Sequence, residues 1–432
     1  MANQIVVARE PELARLDTFL NRALAGACQV CFVVGEAGAG KSTLMEEFIR
    51  RAQKNDPQLV AVIGTCEPQA GIHEPYLPFR QILARLTGDV DSKLEAISRT
   101  NADRLKGLAR QSAPELVFAV GPFLMNLMLP GSGIAANVAI FAAKHTVLKK
   151  QLAQFKKTPQ RGEIDQAKIL EQYTALIAAL GKRHPLILIL DDLHWADTAS
   201  LDLLFYLTRH LKQSRVLIVG TYRPNDVALG RAGARHPLES ILNELKRYHG
   251  DAWIDLGATQ QTQGRAFVHA LIDTHPNRLN PAFRAAVFAK TKGHALFTIE
   301  LLRALQERGD LVRDDQGRWV ADAALNWDAL PARIEGVIAE RIARLTPELR
   351  ELLAVASVEG ETFTVQALAR VLAIDELDLA KTLARELEQR HQLVRQKGDG
   401  RTQILSIHKN APMVVDGIKA NDRALGIRQP RQ

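Results

Sequence analysis

Phosphate-binding chemistry is indicated by one glycine-rich stretch near the start of the chain. It fits the pattern G-x-x-x-x-G-K-[ST], in which glycines let backbone N–H groups turn towards phosphate oxygens. Lys41 can then reach the β- and γ-phosphates, and Ser42 can ligate Mg²⁺. A glycine-rich turn that binds nothing would leave this Lys-Ser pair unexplained. The predicted nucleotide-binding residues of the loop are Gly35, Glu36, Ala37, Gly38, Ala39, Gly40, Lys41, Ser42 and Thr43.

A pair of carboxylates stands about 150 residues further on, after five consecutive aliphatic residues at 186–190. Such a run is typical of a strand buried on both faces of a parallel sheet. Ligands of open α/β sheets bind at the carboxyl ends of the strands, where this pair is expected. Asp191 would hold Mg²⁺, and Asp192 would polarise the attacking water.

Another apolar run, at 216–219, leads into Gly-Thr-Tyr-Arg-Pro at 220–224. Arg223 could sense a γ-phosphate from the end of this strand. It could equally pair with a carboxylate at the sheet edge, and the spacing leaves both interpretations open.

The elements around these residues predict how they are positioned. A β-branched, apolar strand at 28–34 precedes the loop, a helix at 41–53 follows it, and a further strand covers 59–64. This order predicts a doubly wound, parallel-sheet α/β domain over residues 1–252, of the kind that binds nucleotides. We predict a catalytic role for Asp192, Lys41 and Arg223.

An insertion is expected within this domain at about residues 89–168. Residues 116–143 carry no charge, but prolines and glycines divide them into pieces too short to span a bilayer. We interpret the segment as a pair of short apolar helices packed on the domain or on a partner, and we expect no membrane contact.

The bulk composition is that of a soluble globular protein. The chain has 432 residues, 47% hydrophobic residues and a formal charge of +8. The positive charge is local, since residues 144–168 hold seven basic against two acidic residues and residues 395–432 hold eight against three. It is therefore weak evidence for nucleic-acid binding. Three cysteines form no disulfide framework, so a cytoplasmic location is expected.

Helical patterns dominate the remainder of the chain. Residues 253–328 predict a helical lid domain that ends in a small hairpin. Residues 329–408 predict three helices and a hairpin, which is a winged-helix pattern. Its presumed recognition helix, 374–391, has five acidic against three basic residues, so DNA contact through it is not expected. Residues 409–432 predict a disordered tail.

These motifs together resemble the signal-transduction ATPases with numerous domains (the STAND class). The similarity is to bacterial regulators with an AAA ATPase domain, related to the maltose-regulon activator and to ATPase modules of multidomain cyclases and kinases. The most specific motif is Asp-Asp-Leu-His-Trp-Ala-Asp. The motifs that carry the resemblance lie at 7–13, 35–43, 75–79, 190–197, 220–224 and 293–297.

The resemblance implies a switch that binds ATP or ADP with Mg²⁺, hydrolyses ATP slowly, and forms a homo-oligomer or binds a protein partner in its ATP form. It also implies that Val7 and Arg9 lie by the adenine. Thr221 and Arg223 would occupy the family's sensor position, and His408 would face the β-phosphate.

Three departures from the family pattern accompany the resemblance. Ala8 replaces the usual glycine, and Ala295 replaces the proline that touches the nucleotide. The family continues beyond the winged helix, so we expect a truncated product. The alternatives are an AAA-type motor or DNA-loading ATPase, and an inert remnant.

Overall fold

The computed structural model describes residues 7–66, 75–86, 166–230, 234–322, 325, 327, 345–359, 362–390, 394–397 and 404–407. Several expectations lie outside these residues, namely the uncharged stretch at 116–143, His408 and the tail at 409–432. None of the helices in the described ranges combines the length and apolarity needed to cross a membrane.

One sheet of five strands organises the N-terminal part, and every described pairing in it is parallel. The order across the sheet is β2-β3-β4-β1-β5. The strand β4 therefore separates the strand before the phosphate loop from the strand before the acid pair. The prediction of a parallel-sheet α/β fold is confirmed. The strands are β1 (Gln29–Val34), β2 (Val60–Thr65), β3 (Leu186–Asp191), β4 (Val216–Tyr222) and β5 (Trp253–Asp255).

The strand β5 lies just beyond residue 252, where the sequence predicts that the α/β domain ends. Its three residues pair with Phe32, Val33 and Val34 of β1, so the sheet extends to Asp255. A three-residue strand is too short to show a periodic pattern, and its partner lies more than 200 residues earlier in the chain. Nothing local in the sequence therefore indicates that this segment joins the sheet.

Helices cover both faces of the sheet, because successive strand residues point to opposite sides. Val33 and Ile189 pack with α1 and α2 on one face, while Phe32 and Leu188 pack with α3, α4, α5 and α7 on the other. The helices are α1 (Glu10–Leu24), α2 (Lys41–Asn55), α3 (Leu77–Leu86), α4 (Gln166–Arg183), α5 (Thr198–His210), α6 (Pro224–Leu229) and α7 (Pro237–His249).

The cysteines at 28 and 31 follow the same alternation. Cys31 is buried in the core of the α1–α2 face, and Cys28 packs against the core of the opposite face. All three cysteines are free thiols. Burial raises the pKa of the Cys28 thiol to about 12, as expected for a packing residue rather than a reactive thiol.

A helical region follows the sheet and has its own apolar core. It consists of α8 (Leu256–Ile272), α9 (Pro281–Thr291) and α10 (Ala295–Arg308), followed by the predicted hairpin of β6 (Leu311–Arg313) and β7 (Trp319–Ala321). The tight turn between α9 and α10 places Gly293 against Gly264 of α8, where a Cβ on Gly293 would stand 2.4 Å from the Gly264 Cα. Val7 and Ala8 also pack against this core.

The C-terminal unit combines helices with a three-stranded antiparallel sheet of order β8-β10-β9. The sequence predicted the last two strands but missed β8, which is only three residues long. The presumed recognition helix, predicted at 374–391, begins at Glu376 and changes to π-type hydrogen bonding after Thr382. The elements are α11 (Pro347–Glu359), β8 (Thr362–Thr364), α12 (Val365–Leu372), α13 (Glu376–Thr382), β9 (Val394–Lys397) and β10 (Ile404–Ile407).

Candidate nucleotide site

The phosphate loop connects the end of β1 to the first residue of α2. Gly38 and Gly40 have φ angles of 75° and 93°, in the left-handed region that glycine adopts at low cost. Gly40 is the N-cap of α2, so Lys41, Ser42 and Thr43 form its first turn. Unpaired N–H groups at this helix end favour a phosphate group, and phosphate binding by the loop stays a prediction.

Lys41 is almost fully buried, at 7% exposure. Its Nζ donates hydrogen bonds to the carbonyl oxygens of Gly35, at 2.7 Å, and of Glu36, at 3.2 Å. Burial lowers its pKa, and Asp192 opposes this shift most strongly. Arg223 also lowers this pKa. The fold therefore brings the lysine close to the residues predicted to activate water and to sense phosphate.

The acid pair is oriented by a threonine from the neighbouring strand. Thr221 is fully buried on β4, and its hydroxyl donates to Asp191 Oδ1 at 2.6 Å. The hydroxyl oxygen of Thr221 also accepts the backbone N–H of Asp192 at 3.0 Å. Asp192 has the left-handed φ of 57°, an uncommon conformation for a residue with a side chain. Thr221 was predicted as a nucleotide contact, and the structure shows its hydroxyl bonded to the carboxylate of Asp191 and the backbone N–H of Asp192.

Arg223 follows β4 and begins α6 as its N-cap residue. Its NH1 lies 3.7 Å from Asp226 Oδ2, while its buried Nε has no hydrogen-bond partner among the described residues. The next residue but one, Asn225, donates its backbone N–H to Glu36 Oε1 at 3.0 Å. The strand-end segment therefore contacts the phosphate loop directly.

His194 is a residue of this site that the sequence reasoning did not select. Its side chain is fully buried in a short 3₁₀ turn immediately after the acid pair. It stands between Asp192 and Asp226, at 3.8 Å and 3.3 Å. The only sequence signal was its place within the Asp-Asp-Leu-His-Trp motif, which assigns it no chemistry.

Three successive carbonyl groups of the loop are held by residues from outside the sheet. Arg9 NH2 donates to the Ala39 oxygen at 2.9 Å. His294 Nε2 lies 3.1 Å from the Ala37 oxygen, and the backbone N–H of Leu296 donates to the Gly38 oxygen at 3.2 Å. The resemblance placed Ala295 of this segment where the family has a proline that touches the nucleotide, but the loop contacts of His294 and Leu296 were not predicted.

Arg9 is buried, and it also bonds to Glu12 at 3.1 Å. Its guanidinium lies over the Phe267 ring of α8, 5.9 Å from the centroid. Val7 is half-buried against the core of the helical region. Arg9 thus joins α1, the loop and α8. The predicted position of Val7 and Arg9 beside an adenine stays a prediction.

The residues present suit Mg²⁺ bound together with a nucleotide. The carboxylate of Asp191, oriented by a hydroxyl donor, and the hydroxyl of Ser42 are hard oxygen ligands of the kind this ion uses. The described residues contain no cluster of three or more histidine, cysteine or acidic side chains able to hold a metal. Mg²⁺ is commonly held by one or two carboxylates plus phosphates, so such a cluster is not required.

Comparisons with known proteins agree with this geometry. Residues 5–219 match the family described as AAA ATPase domain. An uncharacterized protein of Rhizobium meliloti (strain 1021) is 29% identical over 244 residues, which cover 54% of this chain and 21% of that protein. The matched segment therefore spans about a fifth of the length of this curated relative.

Solved structures with partial overlap include three ATPases. A STAND protein with a tetratricopeptide repeat sensor from Pyrococcus horikoshii has 15% identity and a TM-score of 0.43, covering 95% of this chain and 42% of that one. Drosophila ORC bound to DNA has 12% identity and a TM-score of 0.39, covering 97% and 88%. A mutant of RuvB from Thermotoga maritima has 11% identity and a TM-score of 0.31, covering 98% and 96%. TM-scores below 0.5 describe only partial structural overlap. With the family match and the phosphate loop in its parallel sheet, residues 5–219 of this chain are an AAA ATPase domain.

Proposed function

We propose that this protein is an ATP/ADP-binding signal-transduction switch that hydrolyses ATP slowly. One observation carries the proposal: the carbonyl oxygens of Ala37, Gly38 and Ala39 accept hydrogen bonds from His294, Leu296 and Arg9. The elements expected to move in such a switch therefore contact the loop expected to bind phosphate.

These contacts give the nucleotide a way to bias the helical region. In a phosphate loop the N–H groups face the phosphate, so the carbonyl groups are left to face neighbouring elements. A Cβ on Gly38 would stand 2.7 Å from the Leu296 Cβ, so the helical region is seated tightly on the loop. Two nucleotides that shape the loop differently would hold this region with different free energies, which is the requirement for a ligand-driven population shift.

Lys41 makes the same loop sensitive to phosphate. Its ammonium group bonds to the carbonyls of Gly35 and Glu36. A β- or γ-phosphate would offer it charged acceptors and draw it from those carbonyls. Because Lys41 is buried, solvent screens its charge little, and the change of its partner from carbonyl to phosphate should alter the electrostatic energy of the whole loop.

In the proposed hydrolysis, Asp192 accepts a hydrogen bond from the attacking water and Arg223 contacts the γ-phosphate. Ser42 and Asp191 would hold Mg²⁺, which neutralises phosphate charge when bound. Thr221 keeps the Asp191 carboxylate in place through its 2.6 Å bond. Slow turnover suits a switch, because the lifetime of the ATP form sets the duration of the signal.

We further propose that residues 256–328 act as the lid and residues 329–408 as a winged helix of structural role. The antiparallel sheet of β8, β10 and β9 beside short helices supports this assignment. In α13, Asp375 caps the helix N-terminus through two backbone N–H groups, and Glu376 and Asp378 lie in its first turn. Such an acidic surface disfavours DNA phosphates.

The test is nucleotide binding and its consequence in the full chain. Titration calorimetry with ADP, and with ATP and Mg²⁺, should show binding that Lys41→Ala abolishes. Hydrogen exchange of the backbone at 294–298 should differ between the ADP and ATP forms. Identical exchange and identical oligomeric state in both forms would refute the switch. Hydrolysis that is fast and stimulated by DNA would instead favour a motor, and absence of binding would favour an inert remnant.

A further inference from the structure

His194 lies at the centre of a line of charged groups beside the acid pair. Its Nδ1 is 3.8 Å from Asp192 Oδ1, and its Nε2 is 3.3 Å from Asp226 Oδ2. The same Asp226 oxygen is 3.7 Å from Arg223 NH1. The imidazole therefore stands between the acid expected to activate water and the partner of the arginine expected to sense phosphate.

The backbone around His194 fixes this placement. Residues 193–195 form one 3₁₀ turn whose N-cap residue is Asp192 itself. The carbonyl of His194 accepts a hydrogen bond from His236 Nε2 at 2.9 Å, and His236 caps α7 through Nδ1. The turn is thereby anchored to a helix that lies outside the site, so the ring is held where the two carboxylates meet it.

Packing alone does not account for a histidine here. An apolar side chain would fill a fully buried position without the cost of desolvating a polar ring between carboxylates. The imidazole therefore lowers the stability of the fold, and its presence indicates a role other than packing. Both carboxylates in contact with it belong to the segments that carry the predicted chemistry.

We propose that His194 is a positioning residue for ATP hydrolysis, which holds Asp192 and connects it through Asp226 to Arg223. When Arg223 turns towards a γ-phosphate, it leaves Asp226, and Asp226 then pairs with His194 alone. The imidazole shifts with this change of pairing, and the side chain of Asp192 shifts with the imidazole. The inference rests on the proposed ATP hydrolysis, and it adds a route by which phosphate sensing and water activation are coupled.

Two amide substitutions separate the two sides of the ring. In His194→Asn the amide nitrogen takes the place of Nδ1, on the side that faces Asp192. In His194→Gln the amide nitrogen takes the place of Nε2, on the side that faces Asp226. The matched control is His210→Asn, because His210 is exposed on α5 and stacks on Tyr206.

The measurements are single-turnover hydrolysis of ATP with Mg²⁺, affinity for fluorescent ADP, and melting temperature, all on the full chain. We expect His194→Gln to slow hydrolysis about tenfold to a hundredfold, as for a misplaced catalytic group. His194→Asn should retain most of the rate, and ADP affinity should stay unchanged in both variants. The effects of His194→Gln and Asp226→Asn on the rate should be non-additive, as expected for coupled neighbours.

Several outcomes would overturn the inference. Equal rates in the two amide variants, or a loss of rate that follows losses of ADP affinity and melting temperature, would indicate a structural role. Additive effects with Asp226→Asn would refute the link to Arg223. If the wild-type chain binds no nucleotide, the proposed function itself fails, whereas normal hydrolysis in His194→Gln overturns this inference alone.

Discussion

Replacing His294 with asparagine should separate two interactions that its imidazole makes. His294 is the N-cap of α10, where its Nδ1 accepts the backbone N–H of Phe297 at 3.3 Å. Since Nδ1 is the acceptor, Nε2 carries the proton and donates it to the Ala37 carbonyl at 3.1 Å. An asparagine preserves the cap but is one bond too short to reach the loop.

The expected magnitude follows from the single bond that is lost. A hydrogen bond of this kind contributes about 0.5–1.5 kcal/mol net, and 1.4 kcal/mol corresponds to about tenfold in an equilibrium constant. If the docked helical region retains ADP, His294→Asn should speed ADP dissociation roughly two- to tenfold, without a matching loss of stability. Stopped-flow displacement of fluorescent ADP measures this rate.

The control lies on the neighbouring helix α9. Its N-cap side chain also bonds to the first turn of the helix, but it has no hydrogen bond to the phosphate loop in the described structure. Asn280 Oδ1 accepts the backbone N–H of Phe283 at 2.8 Å at the start of α9. Asn280→Ala should cost about 1 kcal/mol of stability and leave ADP dissociation unchanged. Unaltered dissociation in His294→Asn, or equal acceleration in both variants, would refute the coupling between the helical region and the phosphate loop.

Two other substitutions test contacts on which the site depends. Thr221→Val removes the hydroxyl that orients Asp191. The concentration of Mg²⁺ needed for half-maximal ATP binding should therefore rise, because the coupling free energy between Mg²⁺ and ATP weakens by about 1–2 kcal/mol. An unchanged Mg²⁺ requirement would contradict this role. Gly293→Ala forces a Cβ to within 2.4 Å of the Gly264 Cα at a φ of +73°. It should therefore destabilise the helical region by more than the roughly 1–2 kcal/mol of a left-handed residue alone, as measured by denaturant unfolding.

Each of these has a matched control in the chain. Thr208 is buried too, but its hydroxyl bonds to a carbonyl of its own helix, that of Phe205, so Thr208→Val should leave the Mg²⁺ requirement unchanged. Gly309 has a φ of +82° with no described atom within 4 Å of a built Cβ. Gly309→Ala should show the conformational cost of about 1–2 kcal/mol by itself, and an equal loss in both glycine variants would exclude the proposed overlap.

Much of the sheet could be predicted because its signals are local. The strands before the loop and before the acid pair are runs of apolar residues. One run ends at the first glycine of the loop, and the other ends at the acid pair. The helix that begins at Lys41 and the hairpin of β6 and β7 also follow from nearby residues. By contrast, β5 and β8 are three residues long, and each pairs with a strand distant in sequence. Such short strands exist only because a partner strand is already in place.

The residues of the candidate site could be selected from the sequence, because the glycines, Lys41, Ser42 and the acid pair stand at characteristic spacings. The neighbours that orient these residues could not be predicted from the sequence. Arg223 was left open between a phosphate and a carboxylate, and the fold gives it a carboxylate partner, Asp226, at 3.7 Å. That pairing depends on how α6 leaves the sheet, which no spacing along the chain reveals.

The sequence by itself determined that a phosphate loop and two adjacent carboxylates should meet at one edge of a parallel sheet. Only the tertiary structure decided which neighbours orient them. Placing β4 beside β3 gives Asp191 its threonine donor, and docking α10 on the loop joins His294 to Ala37 across 257 residues of sequence. Local patterns record how a segment folds, whereas contacts between distant segments arise from packing, which no single segment encodes.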